Sequence, residues 1–386
     1  MSRALARLLL DTLRLTPVPD RARLAERWAD PGVAAKAGAI AAWIAYEQGE
    51  QWLLRRLADS GALSCAPATL VESLQLAART DAKAGLAVDA ETADVLQLLA
   101  VKGVPCVLLK GPARRAAVAL YPMADARRTA DVDLLVPAVA AEGAWRLLVS
   151  AGYSPLYPFD PDRARPGESE LWRFGPNPHH LRELTRPGGA SVEIHVSSGR
   201  QLPADVAWER MSRDATELRW QGLTVRVPSA TELLWHGLTH AKPSEQGGWV
   251  LRYWLDASAV LAAANVDWTA IEARMATKEL PDPLRARMWL SAAAQLAGVT
   301  LPEAAASPRA FPLLRFIAWQ LRVFARPRMG TAWREKLLDE AERTELGFSL
   351  APLVAGRSWP IHVRRRIATL AARAAYLAWR LPPQSR

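Results

Sequence analysis

Over the first hundred residues apolar side chains recur at three- and four-residue spacing, the mark of helices that bury one stripe. The spacing predicts helices over 3–14, 20–28, 33–59, 67–85 and 90–102, the last closing at the C-cap-like Gly103 of "ETADVLQLLAVKG". The period then changes. "VPCVLL" is a compact apolar run suited to a buried strand, and "DVDLLV" is a second. Between them Pro112, directly after Gly111, suits the first turn of a helix through "ARRAAVALY". "AAEGAWRLLVSAGY" predicts a helix closed by a glycine–aromatic turn. "HLRELTR" and "SVEIHV" predict paired strands about the Pro-Gly-Gly turn at 187–189, and "TELRW" with "LTVRV" a hairpin about Gln221-Gly222. From Ser229 helical spacing returns, with Ser229 and Glu232 in capping-box register, and dominates to the end. The polar, Gly- and Pro-rich "RPGESELWRFGPNP" reads as a loop. This order predicts an α/β (α+β) protein: a core at 96–228 between helical regions at 1–95 and 229–345, and a separate tail at 346–386.

Charge sets that tail apart. The chain of 386 residues has a formal charge of +10, but only seven of its 49 basic residues are lysine, and high arginine with high alanine is also what a GC-rich genome produces. Beyond Glu345 there are seven arginines and no acid, so most of the excess sits in the last 41 residues. The body is close to neutral and offers no basic track for long nucleic acid. Within the tail, Val363, Ile367, Leu370, Ala374, Leu377 and Leu381 form one stripe, while Arg366, Arg373 and Arg380 recur on another face. A basic amphipathic helix of this kind, at 361–381, either lies against an anionic membrane or a protein partner, or packs its stripe on its own domain.

The other compositional signals narrow the class. Half of the residues are hydrophobic, enough for a sizeable core. Cys65 and Cys106 have neither metal-site nor disulfide-framework spacing. "MSRALARLLLDTLRL" has charges inside its apolar pattern and reads as an amphipathic helix, not a signal peptide. With no apolar run near ~18 residues to span a membrane, the expected location is cytoplasmic.

The chemistry concentrates in the two strands that carry acids. Residues i and i+2 of a strand share a face, so Asp131 and Asp133 project together while Val132 and Leu134 face the opposite way. Paired carboxylates repel unless a cation or proton lies between them, and Mg²⁺ suits carboxylates plus phosphate oxygens. In "VEIHV" the same rule aligns Glu193 with His195. If that strand lies beside 131–136, three carboxylates converge as two-metal nucleotidyl transfer requires. His195 would then either assist the attacking hydroxyl, orient Glu193, or be structural. The Lys110-Gly111 turn after a strand suits phosphate, with Gly111 allowing close approach and Lys110 adding a point charge. Arg127 and Arg128 stand within reach of the same triphosphate. A D-x-D pair alone also fits a solvated edge or a calcium site.

His236 and His240 lie one helical turn apart with Arg252 and Asp256 behind them. No third zinc ligand accompanies them. They are read as one wall of a cleft in which His240 touches substrate or phosphate, or as structural histidines. Arg252 and Asp256, i and i+4, are expected to pair on one helix.

Together, "VPCVLLKG", "ALYP", "ARRTADVDLLV", "AGY", "VEIHV" and "LLWHGLTHA" resemble the uncharacterised bacterial nucleotidyltransferase family of the DNA polymerase beta-like superfamily, over roughly residues 88 to 260. The resemblance implies a minimal core of mixed sheet flanked by helices, using Mg²⁺ (or Mn²⁺) and a nucleoside triphosphate. It implies Asp131, Asp133 and Glu193 as metal ligands, and Lys110, Gly111 and Arg127 on the phosphate side. Where the superfamily often has Gly-Ser, this chain has Gly111-Pro112, which removes a hydroxyl and an N–H donor. Members of the family sit among genes for polysaccharides or modified peptides. The expected activity is transfer of a nucleoside monophosphate to an acceptor (a small molecule, glycan precursor, or peptide or protein). The alternative is a catalytically degenerate scaffold of the same fold in a biosynthetic pathway.

Overall fold

A computed structural model describes residues 3–16, 20–164, 168–172, 179–199, 202–240, 250–277, 283–307 and 313–325. The basic tail and most of the loop at 165–178 lie outside the described residues.

The chain opens with helices α1 (Arg3–Leu13), α2 (Arg21–Trp28), α3 (Pro31–Ala34), α4 (Ala37–Tyr46), α5 (Glu50–Asp59) and α6 (Ala68–Val101). Two differ from the apolar spacing. The helix expected over 33–59 is interrupted twice, at 35–36 and again at 47–49, where Gln48 takes a left-handed backbone at φ 52° and Gly49 lies against Ile44, a Cβ there coming within 2.8 Å of its Cδ1. The second break turns the fully buried Glu47 toward the C-terminal helices, where its carboxylate accepts the backbone N–H of Leu251 at 2.9 Å. Conversely, 67–85 and 90–102 are one continuous helix. Asp89, Glu91 and Thr92 look like a polar interruption in the sequence, but they form a buried seam: Arg115 Nε donates to Asp89 at 2.7 Å, and Tyr153 and Arg186 bond Glu91.

The core follows as β1 (Val107–Leu108), α7 (Lys110–Ala116), β2 (Asp131–Leu135), α8 (Ala138–Ser150), β3 (Ser154–Pro155), β4 (Leu184–Thr185) and β5 (Ser191–His195). These five strands form one mixed sheet in the order β1-β2-β5-β4-β3, with β2 and β5 parallel and the other neighbours antiparallel. The first strand is shorter than "VPCVLL" suggests, because Leu109 already starts the turn into α7, its N–H donating to the Asp133 carbonyl at 2.9 Å. Helix α7 also stops at Ala116, short of the Tyr121 that the sequence suggested.

Next come α9 (Ala204–Arg213), which buries Ala207 and Met211 at i, i+4 spacing, and the hairpin β6 (Thr216–Trp220) with β7 (Leu223–Val227). Gln221 and Gly222 both have positive φ, 47° and 81°, as a two-residue type I′ turn requires. The remaining described helices are α10 (Ala230–His240), α11 (Val250–Ala263), α12 (Trp268–Met275), α13 (Pro283–Ala297) and α14 (Leu313–Phe324). Half of the capping box forms at α10: Ser229 Oγ accepts the Glu232 N–H at 3.4 Å, while the Glu232 carboxylate pairs with Arg274 of α12. Among the described residues no helix is long and apolar enough to cross a membrane.

Candidate functional site

The site is built where the parallel strands meet. In the β2–β5 register Asp133 lies opposite Glu193, Leu135 opposite His195 and Asp131 opposite Ser191. Period two puts Asp131, Asp133, Glu193 and His195 on one face. Val132, Leu134, Val192 and Ile194, all fully buried, fix the other face in the core. Val107, Leu109, Leu135 and Met211 make a small apolar floor at the end of the charged face.

Three of these side chains, Asp133, Glu193 and His195, bring their ligand atoms within 4.8 Å of one another. His195 Nε2 lies 2.9 Å from Asp133 Oδ1 and 3.0 Å from Glu193 Oε2. Lys110 Nζ joins them, 2.6 Å from Asp133 Oδ1 and 3.2 Å from Glu193 Oε2. To reach there Lys110 adopts φ 42°, a left-handed backbone that costs a non-glycine residue on the order of 1–2 kcal/mol. Asp131 stands outside the tight group but within its field.

The electrostatics follow from this crowding. Burial pushes the Asp133 and Glu193 carboxyls upward, yet Lys110 and the His195 bond outweigh it and hold both below the usual carboxylate range. Asp131 goes the other way, to about 6, first because Asp133 repels its charge and then because it is buried. Burial and Lys110 depress the His195 imidazolium, but its bonds to Asp133 and Glu193 raise it overall.

A cavity of about 450 Å³ adjoins the cluster. Lys110, Gly111 and Arg114 of α7 line it, with Arg127, Arg128 and Asp131, with His236 and His240 of α10, and with Arg252 and Tyr253 of α11. Gln48 reaches it from the break between α4 and α5. The other residues singled out in the sequence therefore gather around one space, though not all with the neighbours the sequence suggested.

Arg127 is buried and turned inward: Nε lies 3.1 Å from Asp256 Oδ2, and Nη1 donates to the Arg128 carbonyl and to Thr129 Oγ1. Arg128 is half-exposed, 3.6 Å from Asp81. Asp256, expected to pair with Arg252, instead accepts from Tyr121 at 2.6 Å and from Arg127, with Arg114 Nε at 3.8 Å. Arg252 Nη1 donates to Gln48 Oε1. The rings of His236 and His240 are 5.5 Å apart. Burial drives both below the ordinary range, His240 to about 3, so they are neutral donors and acceptors near pH 7. His180, pushed down to about 4 by burial and by His195, bonds the Leu181 carbonyl through Nδ1 at 2.7 Å. It forms a wall beside His195, their rings 5.2 Å apart. Arg114 repeats Lys110 at i+4 on α7, a signal legible in "KGPARR"; Gln48 had none.

Gly111 owes its identity to packing. A Cβ there would overlap Thr129 Cγ2 and lie 3.0 Å from Thr129 Oγ1 and Arg127 Nη1. Gly111→Ala is expected to lower stability by roughly 1–3 kcal/mol through overpacking. Adding Thr129→Ser, which deletes the Cγ2 but keeps the hydroxyl, should recover part of the loss in thermal melts. Equal melting temperatures for wild type and Gly111→Ala would refute the contact.

The donor set suits a hard divalent cation. Asp133 is fully buried, and its Oδ2 has no hydrogen-bond partner, an expensive state for an ionised oxygen that coordination would relieve. Asp133, Glu193 and His195, with Asp131 alongside, are the residues able to hold such an ion.

A family model described as "Uncharacterised nucleotidyltransferase" matches residues 34–294, more than half of the 386-residue chain. The matched span contains the whole sheet and all the cavity residues named above. No curated protein matches the chain.

Proposed function

The chain belongs to this uncharacterised nucleotidyltransferase family, and from that premise we propose a metal-dependent transfer of a nucleoside monophosphate from a nucleoside triphosphate to an acceptor hydroxyl or phosphate, with pyrophosphate leaving. The observation that carries the reading is the buried, unpartnered Asp133 Oδ2 inside a carboxylate–imidazole cluster that opens beside a cationic cavity.

In this reading Asp131, Asp133 and Glu193 hold Mg²⁺ or Mn²⁺. When bound, the cation would neutralise charge on the transferring phosphoryl group and favour the deprotonated attacking oxygen. His195 fixes the two carboxylates through Nε2, positioning Asp133 Oδ1 and Glu193 Oε2 so that their remaining lone pairs stay available. Lys110 offsets part of the negative charge, which lets three acids stand close together before substrate arrives. Gly111 brings α7 close to the 127–129 segment. The donor's phosphates occupy the cavity, where Arg128 at its mouth and neutral His240 supply donors, and Arg127 supports the wall from behind. A triphosphate donor makes the cytoplasm the natural setting.

The second reading is a degenerate scaffold. The Lys110 ammonium at 2.6 Å from Asp133, together with Pro112 in place of a hydroxyl-bearing residue, favours it. Calorimetry with the four ribonucleoside triphosphates separates the two. The transferase is expected to bind one of them at least about tenfold more tightly with Mg²⁺, a difference of ~1.4 kcal/mol. Equal affinity with and without the ion would overturn the metal assignment. Transfer of label from the preferred nucleotide in a lysate then reports the acceptor class, a polypeptide band or a small metabolite.

A further inference from the structure

We propose that Arg252 of α11 and Arg114 of α7 are the phosphate-binding residues of this site, so that the anion-binding half lies outside the sheet and depends on a helix C-terminal to the core. The inference rests on the nucleotidyltransferase reading and assigns it two residues.

The cations around the cavity are not equivalent. Lys110 is engaged by Asp133 and Glu193, Arg127 by Asp256, and Arg128 faces Asp81. Asp131 is the one acid among the cavity's described lining residues. Arg114 Nη2 donates to the Leu233 carbonyl at 3.5 Å, and the acid beside it, Asp256, is 3.8 Å from its Nε, with both oxygens of that carboxylate already accepting closer donors from Tyr121 and Arg127. Arg252 meets the neutral amide oxygen of Gln48. The Nε atoms of Arg114 and Arg252 are both buried without a hydrogen-bond partner. Guanidinium groups remain protonated under such conditions, so the cavity holds two cations with unmet donors.

A buried cation whose donors are not met by a closely bonded acid is costly until an anion arrives. Arginine forks match phosphate oxygens in bidentate fashion and form the stronger, charge-assisted class of hydrogen bond. At about 450 Å³ the space is in the range that holds small-molecule ligands. Gln48 orients Arg252 through its amide, which links the break between α4 and α5 to the same function.

The test uses the full chain and inorganic tripolyphosphate without any metal, measured by calorimetry. Wild type is expected to bind, and Arg252→Gln to bind roughly 10- to 100-fold more weakly, the worth of charged hydrogen bonds. Arg252→Lys, retaining charge without the fork, should fall between them, and serves as the deciding variant if the glutamine form melts early. Failure of wild type to bind, or equal binding by folded Arg252→Gln or Arg252→Lys, overturns the proposal. Tripolyphosphate bound by wild type and lost in Arg252→Gln, with no Mg²⁺-dependent nucleotide binding, would sink the transferase reading and leave the arginine site standing. Mg²⁺-dependent nucleotide binding that is insensitive to Arg252 would do the reverse.

Discussion

Asp133→Asn is expected to weaken Mn²⁺ binding on the order of 10²-fold or more, read from the free-ion signal in electron paramagnetic resonance titrations. Changes to groups that merely support a metal ligand already cost 10–100-fold, and Asp133 is the centre of the cluster. Its Oδ1 meets both Lys110 and His195, and its Oδ2 is the unpartnered atom. Asparagine keeps the shape and one carbonyl-type oxygen but removes the charge, so Glu193 is left to share Lys110 and His195 alone. Asp131→Asn should weaken binding less, because Asp131 stands outside the convergent group. Thermal melts of each variant separate lost ligation from lost folding. Unchanged Mn²⁺ affinity in a folded Asp133→Asn protein would remove the carboxylates from the metal site. A larger effect at Asp131 would move the site's centre toward the cavity.

How much of this was legible before the fold was known depends on the range of the interaction. The alternation in "DVDLLV" and "VEIHV" is local, and it correctly set four polar side chains against four core residues. Whether the two strands were neighbours was not local; the parallel register that places Asp133 opposite Glu193 comes from the sheet. The Gln221-Gly222 hairpin was readable because a two-residue turn writes its own backbone requirement into the sequence. The partners of the cations were not. Lys110 and Arg127 stand at phosphate-side positions in the sequence, and the fold adds acid partners that no local pattern shows: Lys110 bonds acids 23 and 83 positions along the chain, and Arg127 an acid 129 positions away. A free cation and a paired one have the same letter. The helix break at Gln48 was equally silent, since the apolar spacing continues across it and only the tertiary partners Leu251 and Arg252 make use of it.

Those long-range pairings also locate the site's structural weak point. Asp256→Ala is expected to cost about 3–5 kcal/mol of unfolding free energy, the loss typical when one partner of a buried ion pair is removed. Asp256 is buried on α11, where the opposing charges of Arg127 and Arg114 hold its carboxyl below its ordinary range despite burial. Its loss would leave the buried Arg127 guanidinium and the Tyr121 hydroxyl without their acceptor, and would take from Arg114 the acid 3.8 Å away. Set against a typical total of roughly 5–15 kcal/mol, such a change removes a large part of the protein's stability. Asp256→Asn, which still accepts from Tyr121 but carries no charge, should fall between. Adding Arg127→Met to Asp256→Ala should recover part of the loss, because the stranded charge, not the missing contact alone, carries the penalty. Urea denaturation of the four proteins measures each step, and a cost below about 1 kcal/mol for Asp256→Ala would contradict the ion-pair account. Because Asp256 ties α11 to α7 and to the 127–129 segment, the asparagine variant is also expected to lose nucleotide affinity without touching the ligand. Asp256 thus holds Arg127 in the wall of the cavity, whose Arg114 and Arg252 keep their Nε donors unmet.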